Sequence, residues 1–241
     1  MFLLEKMNIS GYYRSLRTIY PFVREASTSK KLILYGDEIS PPVRFVMMTA
    51  SMLNIDYTFH KIDLFKSENK SDFYKKINPL QKVPALSVDG EIICDSHAIA
   101  LYLCRLSKYQ KLYPSDDLMK AAVDQMLYFN ATNLFPIDSF IFTEYFAGKK
   151  SISNEKVIEW HSSLKYIDDK LNKQRWLAGE EMWLCDICCG ATISSLELLI
   201  PGVEKYIALQ SWMQRLQKLP CFKINYSGLM KLNNYVKLID S

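Results

Sequence analysis

Ser40 stands directly before Pro41-Pro42, and proline in a first helical turn marks a helix start because it lacks the amide that such an end leaves unpaired. A hydroxyl there, beside the positive end of the helix and its free amides, would favour an anion over its conjugate acid. The same residue would equally serve as a plain N-cap, worth about 1 kcal/mol. No general-base partner lies nearby in sequence, so Ser40 is not read as a nucleophile. Asp138 is the second candidate. It sits within Leu134-Phe135-Pro136-Ile137-Asp138-Ser139-Phe140-Ile141-Phe142, where a carboxylate is costly unless a donor meets it. A ligand hydroxyl would meet that need; an Asp on the outer stripe of the helix would have no such need. Pro136 within this helical pattern should kink it and free a carbonyl. Cys185-x-x-Cys188 has neither a companion pair nor a nearby His, and reads as core packing rather than as a metal or redox pair. His60 and His161 have no partner that sequence can name.

The elements that must position these residues fall into two groups. Leu32–Tyr35 is a short apolar run suited to a buried strand, followed by a helix through Val43, Val46, Met47, Ala50 and Leu53. Tyr57–Ile62 alternates as a second strand, and Ser71–Ile77 is a short helix closed by Asn78-Pro79. Val83–Val88 and Glu91–Cys94 are strands joined by Asp89-Gly90, a two-residue hairpin signal. Ser96 is expected to cap the next helix. After Tyr113-Pro114-Ser115 no strand pattern returns: Val157, Trp160, Leu164, Ile167 and Leu171 step as one helix face, and Tyr206, Leu209, Met213 and Leu216 as another. The fold class expected is therefore α/β followed by all-α. The domain limits are 1–30 for a poorly ordered lead, 31–107 for the sheet domain and 115–241 for the helical one.

Composition narrows the function classes. Of 241 residues, 49% are hydrophobic and 23% charged, which excludes disorder as the main state. No apolar window is long enough for a membrane-spanning helix. The net charge of +4 is carried mostly by Lys6, Arg14, Arg17, Arg24 and Lys30 in the lead, so the body shows no nucleic-acid footprint. The 6 cysteines lie in apolar patterns and read as reduced thiols of a cytoplasmic protein. Aromatic residues reach 13%, more than packing alone needs, and Phe129, Phe135, Phe140, Phe142, Tyr145 and Phe146 crowd one segment beside Asp138.

The element order, together with Ser40-Pro41-Pro42-x-Arg44 after the first strand, Val83-Pro84 before the third and Asp95-Ser96-His97-Ala98-Ile99 after the fourth, resembles the cytosolic glutathione transferases over roughly residues 31–235. Among them it is most similar to the insect delta and epsilon classes. Asp37-Glu38-x-Ser40 and Asn225-x-Ser227-Gly228-Leu229 point to an epsilon-class branch linked in insects to ecdysteroid synthesis. The resemblance implies a thioredoxin-like N-terminal domain with a mixed four-stranded sheet, a C-terminal helical bundle, glutathione as co-substrate, no metal and a homodimer. It makes Ser40 the catalytic residue that stabilises the glutathione thiolate. It assigns glutathione to Gln81, Lys82, Val83, Pro84, Asp95, Ser96 and His97, with Val83-Pro84 at the position of the family's cis-proline. The hydrophobic partner, a steroid or sterol, falls to Pro41, Leu64, Phe65, Phe135, Asp138, Ser139, Phe142 and Leu229, with the acid meeting a steroid hydroxyl.

Three departures from the family pattern stand out. Leu80-Gln81-Lys82 replaces the usual Gln-His, so an amide takes the place of an imidazole beside the glycine carboxylate. Asn69 stands near where His or Gln is usual. Trp183 occupies the Ser/Thr position of a buried capping box and offers no oxygen, which leaves Asp186 to satisfy that helix start alone. Two other functions fit the same motifs: a general detoxifying transferase, and a non-catalytic sterol carrier that uses glutathione structurally.

Overall fold

β1 (Leu32–Gly36) runs parallel to β2 (Thr58–Lys61) and antiparallel to β3 (Ala85–Val88), which pairs in turn with β4 (Glu91–Cys94), giving the order β2-β1-β3-β4. The parallel pair follows from its connection, since α1 (Pro41–Met52) crosses between β1 and β2. The antiparallel hairpin follows from Asp89 and Gly90, whose φ angles of 53° and 102° supply the backbone twist that a two-residue turn requires. The computed structural model describes residues 30–107 and 111–240. The expected lead therefore lies, but for Lys30, outside the described residues.

Both faces of the sheet are covered. Leu34, Leu86 and Val88 pack under Val46 and Ala50 of α1 and Ile99 and Leu103 of α3 (Ser96–Leu106). On the opposite face Tyr74, from the short α2 (Asp72–Ile77), packs with Ile62 and Ala85. The cap of α3 differs from expectation. Asp95, not Ser96, is the N-cap, because its shorter reach from outside the helix lets Oδ1 accept from the His97 and Ala98 amides, while Ser96 is already the first helical residue.

From Asp117 onward every element is helical: α4 (Asp117–Phe129), α5 (Phe135–Phe146), α6 (Asn154–Leu171), α7 (Leu184–Leu196), α8 (Ile207–Gln217) and α9 (Phe222–Asp240). α7 is the central post. Every residue of it except Ser194 is buried, as a helix apolar on all sides must be, so Cys185, Cys188 and Cys189 are packing residues with burial holding their thiols protonated. Its start is held as expected by Asp186. Oδ2 accepts the Trp183 amide at 2.9 Å, and Oδ1 accepts both the Leu177 amide at 2.9 Å and the Trp212 indole N–H at 2.8 Å. Burial raises this acid to about 6 in spite of those donors.

The expected break at Pro136 takes a specific form. Between α4 and α5 the backbone opens into a π-helical turn, Asn130–Leu134, closed by the Phe135 amide bonding the Asn130 carbonyl. Pro136 has no amide to continue the ladder and its ring crowds the carbonyl four residues back, so the chain accommodates one extra residue per turn just before it. Asn130 is buried in this turn and its side-chain amide donates to Thr192 Oγ1 of α7 at 2.8 Å.

Candidate functional site

The sheet register brings three of the motifs to one edge. Tyr35, near the end of β1, faces Ala85, the first residue of β3, and Ala85 faces Cys94, the last residue of β4. The loop ending in Ser40, the Val83-Pro84 bond and Asp95 therefore leave the sheet at the same end. The Val83-Pro84 peptide is cis.

Ser40 has the extended backbone of an N-cap, yet its side chain makes no capping bond, which leaves the hydroxyl free to donate outward. The array of free amides expected beside it is reduced. Pro41 and Pro42 carry none, the Arg44 amide bonds the Ser40 carbonyl at 3.1 Å, and Val43 alone keeps an N–H without a partner among the described residues. An anion here would meet one hydroxyl, one amide and the positive end of α1. The loop is braced from below by buried Asp37, which accepts the Ile39 amide at 3.3 Å and the Leu64 amide at 3.1 Å.

One turn into α1, Arg44 is fully buried and ties this loop to the helical part of the chain. Nε donates to Asn225 Oδ1 at 2.8 Å, and Nη1 to the carbonyls of Glu38 at 3.1 Å and Ile39 at 2.6 Å. Nη2 donates to the Ala191 carbonyl at 3.2 Å and to Ser195 Oγ. All five N–H groups of the guanidinium are thus spent, and every acceptor is neutral. Burial lowers the group to about 10, leaving it charged at neutral pH. α9 approaches closely enough to allow this only through Gly228, where a Cβ would lie 2.2 Å from the Glu38 carbonyl oxygen and 2.4 Å from Arg44 Cδ.

Asp138 faces inward. Leu134, Ile137, Asp138, Ile141, Phe142 and Tyr145 are the buried residues along this stretch, spaced as one helical stripe with the acid in its middle. The outward-facing reading is therefore overturned. Asp138 is 2% exposed, and among the described residues its Oδ1 receives no hydrogen bond. Burial raises the acid to about 8, against the opposing pull of the Arg44 charge.

The residues expected around the acid divide. Phe142 stacks with Phe146 at 5.7 Å, Phe146 meets Phe65 edge-on at 5.0 Å, and Phe65 stacks on Tyr235 of α9 at 3.6 Å. Pro41 is buried at the head of α1, Leu64 is anchored through its amide to Asp37, and Leu229 is half-buried on α9. Phe135 and Ser139 lie on the adjacent face of α5. There they line a groove of about 380 Å³ with Lys82, Pro136, Phe140 and Thr143. Tyr235 was not among the sequence candidates, although it follows Gly228 by seven residues and so shares its helix face.

At the other motifs, Asp95 has φ 77° and a side chain that is 65% exposed. Its Oδ1 takes the two α3 amides and lies 3.5 Å from His97 Nδ1, which holds the acid below the usual carboxylate range and leaves Oδ2 available. Ser96 is buried. The His97 ring does not project beside Asp95 into solvent but turns toward α7, with Nε2 3.4 Å from Cys188 Sγ. Gln81 adopts φ 54°, and its carbonyl accepts from Asn69 Nδ2 at 2.9 Å, so two of the departures from the family pattern are bonded to each other. The Lys82 carbonyl accepts from the Tyr74 hydroxyl at 2.8 Å and Asn78 Nδ2 at 2.6 Å. Among the described residues no group of three or more His, Cys, Asp or Glu side chains is placed to hold a metal ion. No helix there is long and apolar enough to cross a membrane.

A thioredoxin-like sheet with a cis-proline at one edge, joined to an all-helical bundle, is the two-part fold of the glutathione transferases. Residues 34–110 match the N-terminal domain of glutathione S-transferase, and residues 131–220 match its C-terminal domain. The chain belongs to the glutathione S-transferase family, enzymes that use glutathione as co-substrate. It is 34% identical over 199 residues to Glutathione S-transferase 1 of Manduca sexta, covering 80% of this chain and 90% of that one. An epsilon-class glutathione S-transferase from the housefly, Musca domestica, superposes with a TM-score of 0.81 at 32% identity, covering 87% of this chain and 98% of that one. A glutathione transferase homologue from Drosophila mojavensis, solved with bound glutathione, gives 0.82 at 32% identity over 87% and 97%. With delta-class enzymes also among its structural neighbours, the chain is an insect glutathione S-transferase of delta/epsilon type.

Proposed function

We propose that the chain conjugates glutathione to soft hydrophobic electrophiles, that Ser40 stabilises the thiolate, and that the acceptor pocket takes a steroid or sterol. A free thiol has a pKa of about 8.5 and is only slightly ionised at neutral pH. The uncapped Ser40 hydroxyl donates to the sulfur anion, the Val43 amide and the α1 dipole add to it, and the thiol proton leaves to solvent. The Val83 backbone pairs with the cysteinyl unit, Asp95 Oδ2 faces the γ-glutamyl ammonium, and the hydroxyl and amide of Ser96 receive the α-carboxylate. Gln81 and Lys82 serve the glycine end, the lysine restoring the positive charge that the missing imidazole would carry. His97 acts behind Asp95 rather than on the ligand.

The observation that supports the steroid reading is the Oδ1 of buried Asp138, which has no hydrogen-bond partner among the described residues. A general detoxifying transferase has no need of such a group. Pro41, Leu64, Phe65, Phe142 and Leu229 surround the ligand, with Phe135 and Ser139 at the groove beside it. On this reading the chain is a counterpart of Noppera-bo, the epsilon-class enzyme linked to ecdysteroid synthesis, and acts as a cytoplasmic homodimer. A crystal soaked with glutathione and a sterol tests it: ligand density reaching Asp138 supports the assignment, and density elsewhere removes it. In solution Asp138→Ala should weaken steroid binding while leaving conjugation of a small aromatic halide intact. If Ser40→Ala abolishes conjugation but still restores development in insects lacking the protein, it is a carrier.

A further inference from the structure

The turn between α2 and β3 is apolar at its tip and basic around it. Pro79 and Leu80 are both exposed there, Leu80 at 74%. The amides of this turn are satisfied from within. Leu80 N–H donates to Asn78 Oδ1 at 3.1 Å, Gln81 N–H to the Asn78 carbonyl at 2.8 Å and Asn78 N–H to the Tyr74 carbonyl at 2.8 Å. Pro79 has no amide to satisfy. The Gln81 carbonyl accepts from the Asn69 side chain, and the Lys82 carbonyl from those of Tyr74 and Asn78. Such a tip can pass from water toward an apolar medium without stranding an N–H.

Four lysines stand around it. Lys75 and Lys76 form the last turn of α2 directly before the tip, Lys82 follows Leu80 by two residues, and the bond from Asn69 to Gln81 brings Lys70 alongside. All four are exposed, and none has an ion-pair partner among the described residues. The acid nearest in the preceding loop, Asp63, is taken by Lys61 at 3.8 Å and Lys66 at 3.7 Å, and between Asp72 and Asp89 the chain carries no acid. Leu118 is a useful contrast. It is 81% exposed, yet it adjoins Asp116 and Asp117, and the Lys120 beside it is spent on Asp117 at 2.7 Å.

We infer that the Asn78–Lys82 turn docks the protein on an anionic bilayer surface, with Leu80 entering the boundary of the acyl chains and Lys70, Lys75 and Lys76 meeting the lipid headgroups. A leaflet rich in phosphatidylserine offers negative charge and an apolar layer in one plane, and a convex tip meets a plane without needing a matching groove. No helix among the described residues is long and apolar enough to cross a membrane, so the contact is peripheral. The groove between Lys82 and α5 opens two residues from the tip. A docked molecule therefore holds the rim of that groove against the bilayer, where a lipophilic acceptor is dissolved. Docking needs no particular acceptor in the pocket, and so stands apart from the steroid assignment.

The test is co-sedimentation of the full chain, saturated with glutathione, with vesicles of phosphatidylcholine alone or with about 30% phosphatidylserine. At about 0.1 M salt the wild type should pellet with the mixed vesicles and not with pure phosphatidylcholine, and about 0.5 M salt should release it. Leu80→Ser should lower the vesicle partition constant about fivefold, and Lys75→Gln with Lys76→Gln about tenfold. Leu118→Ser should bind as the wild type does. All three variants should conjugate 1-chloro-2,4-dinitrobenzene at the wild-type rate, which shows that they fold. Failure of the wild type to pellet with the mixed vesicles overturns the inference and leaves the patch to an acidic protein. Binding that survives both the Leu80 and the lysine substitutions also overturns it, assigning attachment to another basic segment such as the first 30 residues.

Discussion

Arg44 and Asp138 are buried groups of opposite charge type that act on each other through space, while the five recorded side-chain hydrogen bonds of Arg44 go to other residues. Arg44 binds five neutral acceptors, and Asp138 Oδ1 has no partner among the described residues. The pair resembles a salt bridge in which one partner has been fully engaged elsewhere, which is why burial wins at the acid.

Stability should therefore carry a signature of Asp138. Its pKa rises from 3.8 to about 8 on folding, so between those values the unfolded chain is ionised while the folded one holds its proton. The folded state binds more protons there, and its stability must fall as pH climbs through that window. Asp138→Asn removes the effect and should gain on the order of 2–4 kcal/mol at pH 7 relative to pH 4. Urea unfolding of both proteins across this range checks it; parallel curves would mean that the acid is ionised in the fold.

Ser40→Ala removes the hydroxyl donor and leaves the backbone and α1 in place. The conjugation rate at saturating glutathione should fall roughly a hundredfold, with little change in glutathione KM. The thiol of the bound peptide should ionise at higher pH, moving the rising limb of the pH–rate profile to the alkaline side. An unshifted profile would assign the thiolate to another group.

At the head of α7, Asp186→Ala would strand the Trp183 and Leu177 amides and the Trp212 indole N–H in a dry core. A loss of about 3–5 kcal/mol is expected in chemical denaturation. Trp183 cannot compensate, having no acceptor. The fraction that still folds should keep its glutathione affinity, because no contact of Asp186 reaches the site edge.

Gly228→Ala should impair both stability and catalysis. The added Cβ meets backbone at Glu38, which cannot rotate away, and overpacking of this kind costs about 1–3 kcal/mol. The displaced segment is the loop that ends in Ser40. A lower melting temperature with an unchanged conjugation rate would show that the loop yields without moving the hydroxyl.

Local chemistry was legible in the sequence wherever neighbours in the chain are neighbours in space. Ser40-Pro41 marked a helix start, Asp89-Gly90 a hairpin, and Asp186 the sole cap of α7, because each acts over a few residues. Arg44 was only a motif letter, since Asn225 and Ser195 lie 181 and 151 residues away. The direction of Asp138 was open for a different reason. Pro136 announces that the ladder must yield, but whether the helix bends or widens depends on Asn130 finding Thr192 in the core. Likewise the Cys188 that meets His97 and the Tyr235 that stacks on Phe65 lie on α7 and α9, too far along the chain for sequence to pair them.

The widened turn at Asn130–Leu134 makes the identity of the pocket a question of phase. One residue in a helix is worth about 100° of rotation, so the turn works like an offset between two gears. Deleting a single residue there would keep every side chain of α5 and swing Asp138 off the inner stripe. Among relatives with the same α5 residues, a one-residue gap would then matter more to ligand choice than any substitution along the helix.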